Sequence, residues 1–223
     1  MLTTLWNYLF RGWKSTRAPL FEAPLSHVPF LAIDLELTSL DSNNAEITSI
    51  GWVAGSHGKI DLNSAFYCVV DTQQPLGQSP VIHGLTPEVL REGCALEDVI
   101  NHLFDKLSTN VLVFHNASLD LAVLNKVIAR LSKPRVEICF VDTLQMAVYQ
   151  LKKRHSVLPE GSVTLSACRK RLMLPVAPAH NALDDALATL QLWFAQVHEL
   201  GASRHGCLKK LRHTRATGRS NLG

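Results

Sequence analysis

The sequence contains no apolar run of the roughly 18 or more residues that a membrane-spanning helix requires. We also find no internal repeat and no low-complexity segment. Its 223 residues are 47% hydrophobic and 18% charged. This composition is typical of a soluble globular protein, and the length predicts one domain with extensions.

Paired cysteine motifs are missing as well. The five cysteines are scattered, odd in number and without a CxxC pair, which argues against a zinc site or a disulfide framework and for reduced intracellular thiols. The opening stretch, MLTTLWNYLFRGWK, lacks the continuous apolar core and cleavage site of a signal peptide. We therefore expect a cytoplasmic protein. The cysteines are Cys68, Cys94, Cys139, Cys168 and Cys207.

Charge is distributed unevenly along the chain, whose net charge is +3. Residues 1–24 carry +2 and residues 204–223 carry +6, which leaves −5 on the body between them. An acidic body with basic ends suits a cation site flanked by contacts to a polyanion such as nucleic acid. A basic tail is also a common means of keeping a protein soluble, so the distribution alone does not decide between these interpretations.

The stretch FLAIDLELTSL, residues 30–40, places two carboxylates inside what otherwise reads as a buried strand. Strand side chains alternate between faces, so Asp34 and Glu36 point one way. The other face carries Leu31, Ile33, Leu35 and Leu37. Two neighbouring carboxylates out of water repel each other and call for a positive charge between them. A divalent cation such as Mg²⁺ prefers these oxygen ligands. The alternative is an edge strand whose acidic face meets solvent.

The remaining pattern predicts an α/β protein. Further strands are predicted over residues 46–54, 63–71, 111–115 and 138–142. Helices are predicted over residues 96–107, 116–131, 143–153, 163–172 and 181–200. Three consecutive strands followed by alternating strands and helices favour a mixed five-stranded sheet flanked by helices.

Two extensions flank this domain, which we place at residues 25–203. Residues 1–24 carry leucine, phenylalanine and tryptophan at helical spacing, which predicts an amphipathic helix followed by a proline-marked linker. Residues 204–223 are predicted to form a basic, disordered tail.

Three further sites for polar chemistry lie at predicted helix starts. Asp120 falls in the first turn of its helix, where the helix dipole alone explains an acid; alternatively it reaches the strand carboxylates at the same edge of the sheet. His180 precedes the last helix, where a lone histidine most often caps or packs. It can share a site with an acid of that helix only from the preceding loop. The helical wheel does not choose between Asp184 and Asp185.

The polar residues fall into ordered motifs. These are Asp34-x-Glu36, His115-Asn116-Ala117-x-x-Asp120 and His180-x-x-x-x-Asp185, with His83-Gly84-Leu85-Thr86 between the first two. Four acids and a histidine in this order resemble the DEDDh 3′-5′ exonucleases (DnaQ-like), a family that includes the proofreading exonuclease subunit of bacterial DNA polymerase III. The resemblance spans residues 28–200.

The resemblance implies an RNase H-like fold and two divalent ions, Mg²⁺ or Mn²⁺. Asp34 would bridge both ions. Glu36 and Asp185 would complete the first site, and Asp120 would hold the second. His180 would be the general base. The spacing of the family's third motif selects Asp185 over its neighbouring aspartate.

The implied activity is removal of nucleoside monophosphates from the 3′ end of single-stranded or frayed DNA. The alternatives are an exonuclease for RNA or short oligonucleotides and a catalytically silent nucleic-acid-binding module. Leu37, Thr38 and Ser39 stand where the common motif has Thr-Thr-Gly, which leaves substrate preference open. A polymerase or other protein partner would dock through residues 1–24 or the basic tail, and membrane binding is not expected. With four ligands assigned, Asp142 is expected to be structural.

Overall fold

A six-stranded mixed sheet is the centre of this computed structural model, which describes residues 20–71, 92–202 and 206–223. The strand order is β3-β2-β1-β4-β5-β6; β1 is parallel to β4 and β4 to β5, and the other neighbours are antiparallel. The strands are β1 (Phe30–Leu37), β2 (Ile47–Ser56), β3 (Lys59–Val69), β4 (Val111–Phe114), β5 (Val136–Asp142) and β6 (Thr217–Leu222). The helices are α1 (Leu96–Leu107), α2 (Ala117–Arg130), α3 (Thr143–Lys152), α4 (Leu165–Arg171) and α5 (Ala182–Glu199), with 3-10 helices at Leu25–His27 and Leu208–Thr214.

The predicted α/β fold with helices flanking a mixed sheet is confirmed, but the sheet has six strands in the described residues rather than five. The extra strand, β6, pairs antiparallel with β5. Disorder was therefore the wrong expectation for residues 206–223. The physical reason is that apolar residues alternate with the charges there and pack on the core. The buried ones include Leu208, Leu211, Ala216 and Leu222.

The predicted N-terminal helix lies almost wholly outside the described residues, which begin at Leu20. Phe21 is buried and packs in the same core cluster as Leu25 and Trp193. The His83-Gly84-Leu85-Thr86 segment also lies outside the described residues. Among the helices that are described, none is long and apolar enough to cross a membrane.

The side chains of β1 alternate as predicted and bury two different cores. Leu31 and Ile33 pack in the cluster that contains the apolar residues of α1 and α2. Phe30 and Ala32 pack on the opposite face, with Trp193 and other residues of α5. Asp34 and Glu36 continue this second face, so the covering helix for the two carboxylates is α5.

A glycine lets the beginning of α5 lie directly on the sheet. Gly51 of β2 is the cross-strand partner of Asp34. A Cβ atom at Gly51 would overlap the backbone of Ala182 and Leu183, the first residues of α5. The missing side chain therefore allows the close approach that brings the first turn of α5 beside the acids of β1.

The expectation that all cysteines are reduced thiols is wrong for one pair, because Cys68 and Cys94 form a disulfide across a sequence separation of 26. After β3 the chain returns to pair Val70 with Cys94, which brings the two sulfur atoms together. Long-range pairing of this kind leaves no trace in cysteine spacing. Cys139, Cys168 and Cys207 are free.

Candidate active site

Three carboxylates converge where β1 meets the first turn of α5. Oxygen atoms of Asp34, Glu36 and Asp185 all lie within 4.8 Å of one another, and we call these three residues the acidic cluster. Two come from alternate positions of one strand and the third from a helix that begins about 150 residues later. The cluster contains Asp185 and not Asp184, which the helical wheel left open.

Burial and mutual repulsion raise the pKa values in the acidic cluster. Burial is the main cause at Glu36, which is 8% exposed, and together with the charge of Asp185 it raises the pKa of Glu36 to about 7. Burial also raises the pKa of Asp34 well above its ordinary value, and the charge of Asp120 is the next cause. The pKa of Asp185 is raised by burial as well. A bound cation would therefore favour ionisation of all these groups together.

Asp120 faces the acidic cluster from the first turn of α2. It is buried, and burial raises its pKa well above the ordinary value, with the charges of Asp142 and Glu36 adding to the rise. Asp120 is not among the three residues within 4.8 Å, but its charge affects the pKa of Asp34 more than any other charge does. The predicted approach of α2 to the strand carboxylates is thus present as an electrostatic interaction.

Asp142 fixes the start of the helix that carries Asp120. Its carboxylate accepts hydrogen bonds from the backbone N–H groups of Asn116 (3.3 Å) and Ala117 (3.1 Å) at the start of α2. It also accepts from two N–H groups in the first turn of α3, at 2.9 and 3.1 Å. One carboxylate therefore caps two helices at once. This geometry agrees with a structural role for Asp142.

His115, which precedes Asn116 in the second motif, connects three segments. Its Nδ1 lies 2.8 Å from Thr143 Oγ1, and its Nε2 lies 3.0 Å from the carbonyl oxygen of Val163. Burial lowers the pKa of His115, so the ring is held neutral. Its contacts join the end of β4 to α3 and to the loop before α4, and both ring nitrogens are engaged in them.

His180 lies in the loop before α5. This is the position from which it can share a site with Asp185. Its backbone N–H donates to Asp185 Oδ2 at 3.0 Å, and its φ of 66° lies in the left-handed region. The next residue, Asn181, is the N-cap of α5, and its side chain accepts from Leu183 N and Asp184 N. The imidazole is exposed to solvent beside the acidic cluster.

Arg169 of α4 is a buried cation that the sequence analysis missed. It is 4% exposed, and its guanidinium donates to the carbonyl oxygens of Ala188 (2.7 Å) and Pro175 (2.8 Å). These bonds tie α4 to α5 and to the loop that leads to His180. The charge of Arg169 also opposes the rise in the pKa of Asp185. Three consecutive basic residues occupy 169–171, so nothing in the sequence singled this one out.

Comparison with known proteins agrees with the geometry. A family model described as Exonuclease (RNase_T) matches residues 31–193. The chain is 27% identical over 197 residues to the PolC-type DNA polymerase III of Thermotoga petrophila, covering 87% of this chain and 14% of that polymerase. It is 30% identical over 173 residues to the corresponding polymerase of Streptococcus suis, covering 76% and 11%. The chain thus spans a small fraction of the length of these relatives.

Solved structures share the fold. Exonuclease X in complex with 5′ overhanging duplex DNA is 25% identical, with a TM-score of 0.59 over 77% of this chain and 93% of that one. An E. coli exonuclease I bound to single-stranded DNA, in a zinc form, is 15% identical with a TM-score of 0.66, covering 84% and 43%. The family model spans well over half of the sequence, including every motif residue from Asp34 to Asp185, and the chain belongs to the exonuclease family.

Proposed function

We propose that this chain is a metal-dependent 3′-5′ exonuclease that releases nucleoside monophosphates from DNA. The observation that carries the proposal is the convergence of Asp34, Glu36 and Asp185 within 4.8 Å, from β1 and the distant start of α5. Asp120 joins them electrostatically from α2. Acids placed together at this cost in charge repulsion are expected where a cation is to be bound.

The residues present fit a pair of divalent ions, Mg²⁺ or Mn²⁺. The donors are carboxylate oxygens, which hard cations prefer, and burial together with the neighbouring carboxylates raises their pKa values. Asp34 would be shared by both ions, Glu36 and Asp185 would complete one site, and Asp120 would belong to the other. When bound, such ions acidify an attacking water and stabilise charge on the leaving oxygen of a phosphodiester.

His180 would serve as the general base. Its imidazole is solvent-exposed, whereas its backbone N–H is anchored to Asp185 at 3.0 Å. This arrangement holds the residue at the rim of the acidic cluster and leaves the ring in contact with water. Histidine is the residue type best suited to accept a proton near neutral pH and return it to solvent.

DNA is the favoured substrate. The relatives above are DNA polymerases, and the Exonuclease X structure contains duplex DNA with a 5′ overhang. RNA or short oligonucleotides are the second candidate, because the Leu37-Thr38-Ser39 variant of the first motif leaves substrate preference open. Leu40, directly after it and four residues after Glu36, is 86% exposed and offers an apolar surface for a terminal base.

Digestion of end-labelled oligonucleotides tests the proposal. Single-stranded DNA, duplex DNA, RNA and dinucleotides would be incubated with Mg²⁺ or Mn²⁺, with Asp34→Asn as the matched blank. With a 5′ label we expect a ladder of progressively shorter products, since nucleotides leave from the 3′ end. Immediate release of a labelled mononucleotide would instead indicate attack from the 5′ end. If Mn²⁺ produced no cleavage and no thermal stabilisation, a silent nucleic-acid-binding module would be favoured.

A further inference from the structure

The C-terminal 3-10 helix, Leu208–Thr214, exposes only basic side chains and histidine. A 3-10 helix has three residues per turn, so residues three apart share a face. Leu208, Leu211 and Thr214 form the buried face. The exposed positions between them are Lys209, Lys210, Arg212 and His213, and the exposed Arg215 follows as the C-cap.

The end of α3 extends this charge. The His213 ring lies 3.1 Å from the hydroxyl of Tyr149 in α3 and packs edge-on against its ring. Lys153 Nζ lies 4.2 Å from the centre of the same ring. Lys153 belongs to a run of exposed lysine, arginine and histidine residues, Lys152 to His155. We call the combined area of Lys153, Tyr149, Arg212, His213 and Arg215 the basic surface.

Internal ion pairs do not neutralise the basic surface. Lys209 pairs with Glu22 at 2.8 Å, and Arg219 pairs with Glu137 at 3.4 Å. Within the described part of the chain, Lys153, Arg212 and Arg215 form no salt bridge with an acid. Their charge is therefore available to a ligand.

The basic surface begins at the same edge of the sheet as the acids. The residue after Arg215, Ala216, accepts a hydrogen bond from Asp142 N–H at 2.8 Å. Asp142 in turn caps α2, which carries Asp120. In strand order β6 stands three places from β1, a separation of about 14 Å at the usual strand spacing. That distance suits one strand of nucleic acid passing from one area to the other.

We propose that the basic surface binds the phosphate backbone of the single strand whose 3′ end occupies the acidic cluster. This inference rests on the function proposed above. The body of the protein carries net charge −5 and four acids line the site, so a polyanion entering it needs compensating cations nearby. Flexible lysine and arginine side chains around an aromatic ring are a common way to hold a nucleic-acid strand without reading its sequence.

The test compares two triple variants in the full chain carrying Asp34→Asn. The first combines Lys153→Ala, Arg212→Ala and Arg215→Asn, since asparagine tolerates the left-handed backbone of residue 215 (φ 63°).

The control combines Lys59→Ala, Lys106→Ala and Arg135→Ala. These remove the same charge near the other ends of the strands, where β3, β4 and β5 begin. Binding of a fluorescent 20-nucleotide strand would be measured by anisotropy over a series of salt concentrations.

We expect the first variant to bind the 20-mer at least about tenfold more weakly than the control does. Its slope of log K against log salt should fall by about 2, because each phosphate contact on a single strand contributes about 0.7. In proteins that retain Asp34, hydrolysis of a dinucleotide should be the same for both variants. Equal DNA affinity for the two variants would overturn the proposal. Polyglutamate serves as a second polyanion, and a first variant that lost affinity for polyglutamate but not for the 20-mer would overturn the proposal too.

The outcomes also separate this proposal from the catalytic one. Suppose that the chain with Asp34 hydrolyses no substrate, whereas the first variant still binds DNA more weakly than the control. The basic surface then stands and the nuclease assignment fails. If hydrolysis proceeds from the 3′ end and both triple variants bind the 20-mer equally, the basic surface is wrong and the nuclease assignment stands.

Discussion

Asp142 at the end of β5 and the pair Asp34 and Glu36 in β1 are carboxylates in opposite surroundings. The carboxylate of Asp142 accepts four backbone N–H hydrogen bonds at 2.9 to 3.3 Å. The carboxylates of Asp34 and Glu36 face other carboxylates, and their pKa values are raised. The first arrangement supplies donors for its charge from the protein itself, whereas the second leaves its charge to be balanced from outside.

The difference separates an acid that stabilises the fold from acids suited to binding a cation, without reference to any relative. A buried carboxylate with several N–H donors stabilises the fold by holding its donors in place. Clustered carboxylates destabilise the fold until a cation binds. Without a cation, removing Asp142 should therefore lower stability, whereas removing an acid of the acidic cluster should raise it. This contrast is the most direct test of the two roles.

The largest effect is expected at Asp34, whose pKa is raised by the charges of three other acids. Asp34→Asn should lower turnover by at least about 10³-fold, since metal ligands in such sites supply several kcal/mol of transition-state stabilisation. The same variant should raise the melting temperature in EDTA, because one repelling charge is removed. Steady-state kinetics and thermal unfolding measure the two effects. If most of the rate survived in saturating Mn²⁺, the shared-ligand role of Asp34 would be excluded.

Replacing His180 sharpens the contrast by leaving the acids untouched. His180→Asn keeps the backbone N–H that donates to Asp185 and suits the left-handed φ of 66°, so only the imidazole is lost. We expect turnover to fall by about 10² to 10⁴-fold with little change in metal affinity. The acidic limb of the pH–rate profile should change as well. A variant with near-normal turnover would rule out the imidazole as the base.

Much of the fold was accessible from the sequence because periodicity reports burial directly. The alternation in β1 correctly assigned Asp34 and Glu36 to one face, and the predicted helix over residues 96–107 has the observed bounds. The pairing of Cys68 with Cys94 and the strand β6 were missed, since both depend on contacts between distant segments. The basic residues that precede β6 concealed the buried apolar positions among them, such as Leu208 and Leu211.

The candidate site was predictable for a different reason. Each acid alone had an ordinary explanation, such as a helix dipole for Asp120, and only the order of the motifs joined them. Arg169 was not predictable, because its burial depends on how α4 packs against α5. The donors of Asp142 were likewise hidden, since backbone N–H groups carry no sequence signal. Side-chain chemistry can be read along a chain, whereas the backbone groups that satisfy it depend on the fold.

Replacing Asp142 should destabilise the fold, in contrast to replacing Asp34. Asp142→Ala should lower the free energy of unfolding by about 3 kcal/mol, because four N–H groups at two helix starts lose a charged acceptor. Asp142→Asn, which retains one acceptor oxygen, should cost less. Urea unfolding measures both. Saturating Mn²⁺ should restore neither variant to the stability of the parent, and stabilisation of the fold by Asp142→Ala would contradict the structural role.

The most direct measure of the uncompensated charge is the pH dependence of stability. The pKa of Glu36 is about 7 in the folded protein, against an ordinary value of 4.5. The folded state therefore holds this proton more tightly than the unfolded chain, and metal-free stability should fall as pH rises from about 4.5 to 7, by up to about 3 kcal/mol. Urea unfolding in EDTA at several pH values tests this slope.

Glu36→Gln is the matched control, since it keeps the shape of the side chain and removes its titration. It should make that part of the pH profile less steep and leave the slope contributed by the three aspartates whose pKa values are also raised. With saturating Mn²⁺ the parent should instead become more stable as pH rises, because cations bind the ionised carboxylates and not the protonated ones. Asp142 is not part of the acidic cluster. In Asp142→Asn, as in the parent, stability should therefore still fall with pH in EDTA and rise with pH in saturating Mn²⁺. An EDTA profile that rose between pH 4.5 and 7 would show that the protein itself compensates the charge of the acidic cluster.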